Sequence, residues 1–380
     1  MGVKAGYKRT ELGLIPEDWD LLEFDETCRR LNGKAHQIQT SEYATSGAIP
    51  VIDQGQVPIV GYSDSTSRAF RVPDGGVLVF GDHTCIVKFV NFDFIVGADG
   101  TQLIATKPGQ CTRFRAYDLE HNGISSTGYN RHFKFLRERK FVSPSEAEQR
   151  AIADALSDVD ALLEGLDRLI AKKRQVRNAT KRQLLAGDTR LPGFAEQWTR
   201  SSFANVVRHH AGNSTLIKGK LPSSGAAGLY PAYSASGQDV WCEHFEHEGH
   251  AVVVSAVGSR CGKAFPACGK WSAIANTHVV WPITSKIDFD FLGFFINDEN
   301  FWLKNGTGQP FVLFSQTFAR PLLLPSLKEQ TAIATVLSDM DAELAALEAR
   351  RDKTRNLKKA MMQELLTGRT RLHTTGGSNG

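Results

Sequence analysis

No apolar run in the 380 residues is long enough to cross a bilayer as a helix, and the opening MGVKAGYKRTELG lacks the apolar stretch of a secretion signal. These absences point to the cytoplasm. Cysteine is sparse: Cys28, Cys85, Cys111, Cys242, Cys261 and Cys268 are scattered through a long chain, which fits free thiols in a reducing compartment better than a disulfide framework. The gap between Cys261 and Cys268 is too long for the paired-cysteine clamp of a zinc site, even with Cys242 and His278 nearby, so no metal is expected. In CEHFEHEGH the spacing of His244, His247 and His250 gives no shared face on a strand and reads as a solvated loop.

Two catalytic signatures are missing as well. There is no Gly-x4-Gly-Lys-Ser/Thr phosphate loop, and no Asn/Asp-Pro-Pro-aromatic tetrapeptide of the kind an adenine methyltransferase uses to hold an extruded base. A self-contained enzyme of either class is therefore disfavoured. The charge balance decides little, since a net +4 and a pI near 8.7 permit an anionic partner without requiring one. With 41% hydrophobic and 23% charged residues the chain has a globular composition, and its length exceeds one ordinary core.

What is present is a long internal repeat. Pro144 to Leu191 aligns without a gap to Pro325 to Leu372, an offset of 325 − 144 = 181, with about 23 of the 48 aligned pairs identical. A weaker echo precedes each copy, GLIPEDW around Trp19 and LPGFAEQW around Trp198. In the first copy Ile152, Leu156, Val159, Leu163, Leu166 and Ile170 form a heptad seam; Ile333, Leu337, Met340, Leu344 and Leu347 repeat it until Arg351 stands where Ile170 stood. Each copy begins at Pro-Ser, suited to helix entry and capping, and ends at Gly187 or Gly368, suited to a left-handed C-terminal cap. A helix from Pro144 to Gly187 would be roughly 60 Å long. Antiparallel pairing within the chain would bury both seams and relate the halves by an approximate two-fold axis.

The remaining stretches read as β-rich mixed domains. GGVLVFGDHTCIVKF from Gly75 and HAVVVSAVGSRCGKAF from His250 both show an apolar strand, a polar glycine-containing turn and a second short strand. The expected fold is thus α+β: two mixed β-rich globular domains, 1–143 and 191–324, separated by two long helices, 144–190 and 325–372, that form an antiparallel coiled coil, with a disordered tail at 373–380.

The globular-helix-globular-helix order, the paired openings and the starts PSEAEQRAIADALSDVD and PSLKEQTAIATVLSDMD resemble the specificity subunits of type I restriction-modification systems. The resemblance extends over essentially the whole chain, including IPVIDQGQVPIVGYSD from Ile49, FGDHTCIVKFVNFDFIVGADGTQL from Phe80, YPAYSASGQDVW from Tyr230 and GKWSAIANTHVVWP from Gly269. It implies two target-recognition domains, each reading one half of a bipartite site in double-stranded DNA, with the helices as a ruler between them. It also implies two methyltransferase subunits docked on those helices, with restriction subunits as further partners. S-adenosylmethionine and ATP with magnesium would belong to the partner subunits, and none to this chain.

Arginine and lysine read guanine edges, while asparagine, glutamine and histidine suit adenine or mixed edges, so polar turns between apolar strands are the candidate DNA contacts. In the first domain these are Gln54, Gln56, Asp82, His83, Thr84 and Lys88; in the second they are Ser259, Arg260, Lys263, Asn276, Thr277, His278, Thr307 and Gln309. Ordinary turn chemistry accounts for the glycines and Asp82 equally well. Gln149 and Gln330 at the helix starts, and Arg174 and Arg355 in the basic later halves, are the candidate partner contacts, although such basic stretches also serve simply as solvated faces. A competing reading, a coiled-coil scaffold whose globular parts bind protein or small ligands, explains the seams but not two divergent polar-loop domains on matched helices.

Overall fold

In the computed structural model, which describes residues 5–124, 128, 130–298, 300–306 and 308–372, the repeated segments form two long helices, α1 (Glu146–Ala186) and α2 (Leu327–Leu365). Ser145 caps the first, its hydroxyl accepting from the Glu148 amide at 3.3 Å. Gly187 and Gly368 stand just past the helices with φ of +77° and +67°, the left-handed region that a glycine enters without strain. Each is also boxed in: a β-carbon would lie 3.1 Å from the Trp198 ring at Gly187, and 2.4 Å from Pro16 at Gly368.

The chain divides into two compact units, and the division falls inside both long helices. One unit comprises residues up to Arg168 together with those from Ala349; the other is the continuous stretch Leu169–Glu348. The four segments expected from sequence thus pack as two bodies, each holding part of each helix.

In the first unit, Cys28–Leu31 (β1), Ile49–Ile52 (β2), Gly61–Ser63 (β3), Val77–Gly81 (β4), Val87–Val90 (β5), Ile95–Val96 (β6) and Thr101–Thr106 (β7) make two sheets, of strand order β1-β7-β4-β5 and β3-β2-β6. β4 is apolar throughout because both of its faces are covered. Leu78 and Phe80 pack against Phe24, Leu136 and Phe141, while Val77 and Val79 pack against Ile52, Phe94 and Leu103. Each such side chain contributes about 1.5–3 kcal/mol by leaving water.

The second unit repeats this plan with little of the sequence. Val207–Ala211 (β8), Tyr230–Ser234 (β9), Gly237–Cys242 (β10), Ala251–Ser255 (β11), Ala264–Ala267 (β12), Lys270–Ala273 (β13) and Thr277–Pro282 (β14) give the orders β8-β14-β11-β12 and β10-β9-β13, the latter extended by His247–Glu248. In both units the second sheet contains one parallel pair, β2 with β6 and β9 with β13. A further two-stranded ribbon also recurs, Asp20–Glu23 with Lys140–Ser143 and Thr199–Ser202 with Pro321–Leu324.

Within each unit the helices run antiparallel. In the first, Lys358 meets Asp160 at 3.0 Å and Arg351 meets Asp167 at 3.7 Å, while Ile152 and Leu156 share a core with Met362, Leu365 and Leu366. In the second, Arg177 grips Asp341 with two bonds of 2.8 Å, Arg174 pairs with Glu348, and Leu184 packs with Ile333 and Leu337. As numbers rise along one helix they fall along the other. Asp160 and Asp341 are equivalent in the repeat, as are Lys358 and Arg177, so one ion pair is built twice.

The six cysteines are free thiols. Among the described residues no helix is long and apolar enough to cross a membrane. The expected tail at 373–380 lies outside the described residues.

Candidate nucleic-acid interface

In each unit the hairpin β4–β5 or β11–β12 carries a polar turn, and the turn is anchored to a corner that leads into β7 or β14. The corner is built alike in both. Gly100 and Asn276 have positive φ, +88° and +65°. The next residue, Thr101 or Thr277, turns its hydroxyl back onto a carbonyl, Ala98 O at 3.0 Å or Ile274 O at 2.6 Å. The corner carbonyls accept from the hairpin, Asp82 N to Gly100 O at 2.7 Å and Ala256 N to Asn276 O at 2.9 Å.

The first-domain candidates come together around this corner. Gln54 accepts from the His83 amide at 3.1 Å and donates to Asp99 O at 2.8 Å, and the Thr84 hydroxyl donates to Gln54 O at 2.6 Å. His83 Nδ1 lies 3.1 Å from Asn130 O. Gly100 allows this packing, since a β-carbon there would sit 2.6 Å from Gln54 Nε2 and 2.8 Å from the His83 ring. Thr84 and Gln56 are exposed; Gln54 and His83 are half-buried.

Two first-domain candidates have internal roles instead. Asp82 is buried, and its carboxylate accepts from the Phe133 amide at 2.7 Å, fixing the start of the short helix Phe133–Arg137. Lys88 donates to Asp53 O at 2.9 Å and Val57 O at 2.6 Å and lies 3.7 Å from the Asp53 carboxylate, so it holds the 53–57 loop. Burial pushes its ammonium pKa below the usual lysine range, partly opposed by Asp53.

In the second domain Ser259, Arg260 and Lys263 are exposed on the hairpin turn, with the Arg260 guanidinium 6.0 Å from the Phe265 ring centre. Gly258 N donates to Pro310 O at 2.8 Å, which brings the loop bearing exposed Gln309 beside that turn. Asn276 is exposed at the corner, whereas Thr277 is buried and spends its hydroxyl on the corner itself. Thr307 lies outside the described residues.

His278 points into an aromatic cluster. Its ring stacks on Phe314 at 3.9 Å and its Nε2 lies 2.9 Å from His209 Nδ1, while His209 stacks on Phe318 at 3.6 Å. Burial, then neighbouring His209 and His210, lower the His278 pKa to about 4, so the ring is neutral at physiological pH. His247, expected in a solvated loop, packs against the Trp271 and Trp281 rings at 4.7 and 5.7 Å, and His250 Nδ1 lies 3.5 Å from Cys268 Sγ. Among the described residues no group of three or more His, Cys, Asp or Glu side chains is placed to hold a metal.

The partner candidates divide. Gln149 and Gln330 do not face outward: both are buried, donating to Pro144 O at 2.9 Å and Pro325 O at 3.0 Å and accepting from Cys111 N at 2.9 Å and Asp288 N at 2.8 Å. They staple each long helix to its own globular domain. Arg174 and Arg355 are exposed and pair along the helices with Glu348 and Asp352.

The glutamate beside each glutamine has a matching task. Glu148 accepts from Trp19 Nε1 at 3.1 Å and from Arg371 at 2.6 and 2.8 Å; Glu329 accepts from Trp198 Nε1 at 3.2 Å and from Arg190 at 2.6 Å. The paired tryptophans of the sequence and the paired Glu-Gln helix starts are thus two ends of one latch.

Residues 214–354 match the family model described as the type I restriction modification DNA specificity domain. The match covers 141 of the 380 residues of the chain. Its fold is similar to that of the S subunit of a type I restriction-modification system from M. genitalium, with a TM-score of 0.65 at 15% identity over 99% of both chains. It is also similar to a chain from a structure on complex assembly and conformational transition of the type I R-M system, with a TM-score of 0.53 at 14% identity over 94% of this chain and 99% of that one. At these identities the likeness is one of fold. The strand orders extend the plan of the matched stretch to the first unit.

Sequence reasoning missed the corner residues Gly100 and Thr101, whose counterparts Asn276 and Thr277 it had singled out.

Proposed function

We propose that the chain is the DNA-reading subunit of a type I restriction-modification complex, that each globular domain reads one half of a bipartite double-stranded target, and that two methyltransferase subunits dock on the long helices. The observation that carries this reading is the same hairpin-and-corner device built twice on one fold, with different side chains at its exposed positions. A shared scaffold with divergent tips suits two different words read by one mechanism. The duplicated helix starts and ion pairs present two equivalent sides for two copies of one partner. S-adenosylmethionine, ATP and magnesium belong in this reading to the partner subunits, with restriction subunits joining the same assembly.

The test is methylation mapping of the complex formed with the cognate methyltransferase, together with the chain alone and S-adenosylmethionine. The expected result is methylation at two short words separated by a fixed spacer, by the complex only. Methyl transfer by the chain alone, or methylation at a single continuous word, contradicts the proposal.

A further inference from the structure

Beside the reading corner of the first unit lies an open groove of about 550 Å3, lined among others by Arg30, Lys34, Gln37, Asp99 and Arg131. Three of these residues are exposed cations. Basic residues elsewhere in the unit commonly have a carboxylate within 4 Å, as Arg68 has Glu42, Arg71 has Asp93, Arg137 has Asp25 and Lys140 has Glu11. Among the described residues no such ion pair involves Arg30, Lys34 or Arg131, and the one carboxylate in the lining, Asp99, accepts from Gln37 at 3.2 Å. The Arg30 guanidinium is supported from below by the Phe133 ring at 5.5 Å, which leaves its N–H groups for a ligand.

The fold does not need these charges. Hydrogen-bond register along the matched strands puts His209 of the second unit where Arg30 stands in the first, and Asn213 where Lys34 stands. Phe311 stands where Arg131 does, and the strand paired with it carries the exposed Lys304. Uncharged groups build the same architecture at the matched positions, because His209 has its pKa lowered by burial. Three cations in one groove, without ion pairs among the described residues, where the matched positions of the second unit hold His209, Asn213 and Phe311, point to an anionic ligand.

We infer that this groove seats the phosphodiester backbone of DNA beside the first reading corner, with Arg30, Lys34 and Arg131 each facing a phosphate. The inference rests on the DNA-reading function proposed above and adds an asymmetry to it: the first domain holds the backbone electrostatically on this side of its corner, and the second does not. Because Gly100 belongs both to the groove lining and to the corner that carries Gln54 and His83, a backbone held here lies next to the loop that meets the bases. Phosphate contacts fix register without reading sequence.

The experiment measures duplex binding by the full chain in complex with its methyltransferase, across a range of salt concentrations, for the parent and for the triple variant Arg30→Gln, Lys34→Gln, Arg131→Gln. Each lost phosphate contact lowers the slope of log affinity against log salt by about 0.9, so the triple variant is expected to lose about 2–3 from the slope while methylating the same words. Arg71→Gln with Lys140→Gln, which removes cations already paired with Asp93 and Glu11, is the control and leaves the slope unchanged. Parent-like slope in a triple variant that melts at the parental temperature overturns the groove and leaves the DNA-reading function standing. Absence of salt-dependent duplex binding by the parent complex overturns both, and a changed methylation word shows the groove to read bases rather than hold phosphate.

Discussion

The indole N–H of Trp19 donates to the carboxylate of Glu148 across 3.1 Å, joining a residue that precedes the first domain's sheets to one in the first turn of a 41-residue helix. Arg371 closes the carboxylate from the other side and also grips Asp18, which holds the Asp18 carboxyl below the usual range through its hydrogen bonds. The bond recurs between Trp198 and Glu329. Removing the shared acceptor leaves an arginine and an indole N–H facing a void, so Glu148→Ala is expected to destabilise the first unit by about 3 kcal/mol, and Trp19→Phe by about 1 kcal/mol. Urea unfolding of the full chain measures both; a loss below about 0.5 kcal/mol for Glu148→Ala would contradict the latch.

The buried amides make a separate prediction. Gln149→Leu keeps the volume but orphans the Cys111 amide and the Pro144 carbonyl, at an expected cost of about 2–3 kcal/mol. Gln330→Leu does the same to Asp288 and Pro325 in the other unit. If either variant keeps full stability yet fails to assemble with methyltransferase, the glutamine acts at a partner surface after all.

Acid should weaken the second unit before carboxylate titration begins. His278 has its folded pKa lowered to about 4, against an ordinary value of 6.5, so it contributes stability that is fully present above pH 6.5 and is lost as pH falls toward 4. The unfolded chain binds the proton more readily in that window, and stability should drop by at most about 1.4 kcal/mol per pH unit on this account. His278→Gln should flatten that part of the curve in thermal melts between pH 4.5 and 7. A variant as pH-sensitive as the parent assigns the dependence to other groups.

Arg260 stands exposed on the second hairpin turn, over Phe265 and beside the Gln309 loop. Under the proposed function, Arg260→Ala relaxes the choice at one base pair of the second half-site by about 1–3 kcal/mol if the guanidinium reads a base. If it holds a phosphate, affinity falls alike for all sequences and the salt slope drops by about 1. Methylation profiles over a randomised half-site separate the two outcomes, and an unchanged profile with unchanged affinity removes Arg260 from the interface.

The long helices, their caps and their seams were legible because period and repeat are written directly into residue order. So were the two hairpins, since an all-apolar strand such as VLVF implies covered faces on both sides. The strand orders that the two globular parts share were not legible, because strand order is set by which backbones pair and scarcely constrains the side chains outside the core. The site fared in the same way. Polar residues on turns were found, but a sequence does not say whether a turn's aspartate faces outward or, like Asp82, caps a helix some fifty positions later. Nor does it say which cations are already neutralised, and that distinction separates Lys88 and Arg71 from Arg30 and Lys34.

The division of the chain inside both helices has a consequence for how it is made. Residues Leu169–Glu348 are contiguous, so the second domain possesses all of its own contacts once the ribosome has passed Glu348. The first domain does not: the cluster that holds Ile152 and Leu156 waits for Met362, Leu365 and Leu366, and its latch for Arg371. During synthesis the apolar face of residues 146–168 therefore stays uncovered while some two hundred further residues emerge, an interval in which capture by a chaperone or by a neighbouring chain competes with folding. The domain translated first is the last to close.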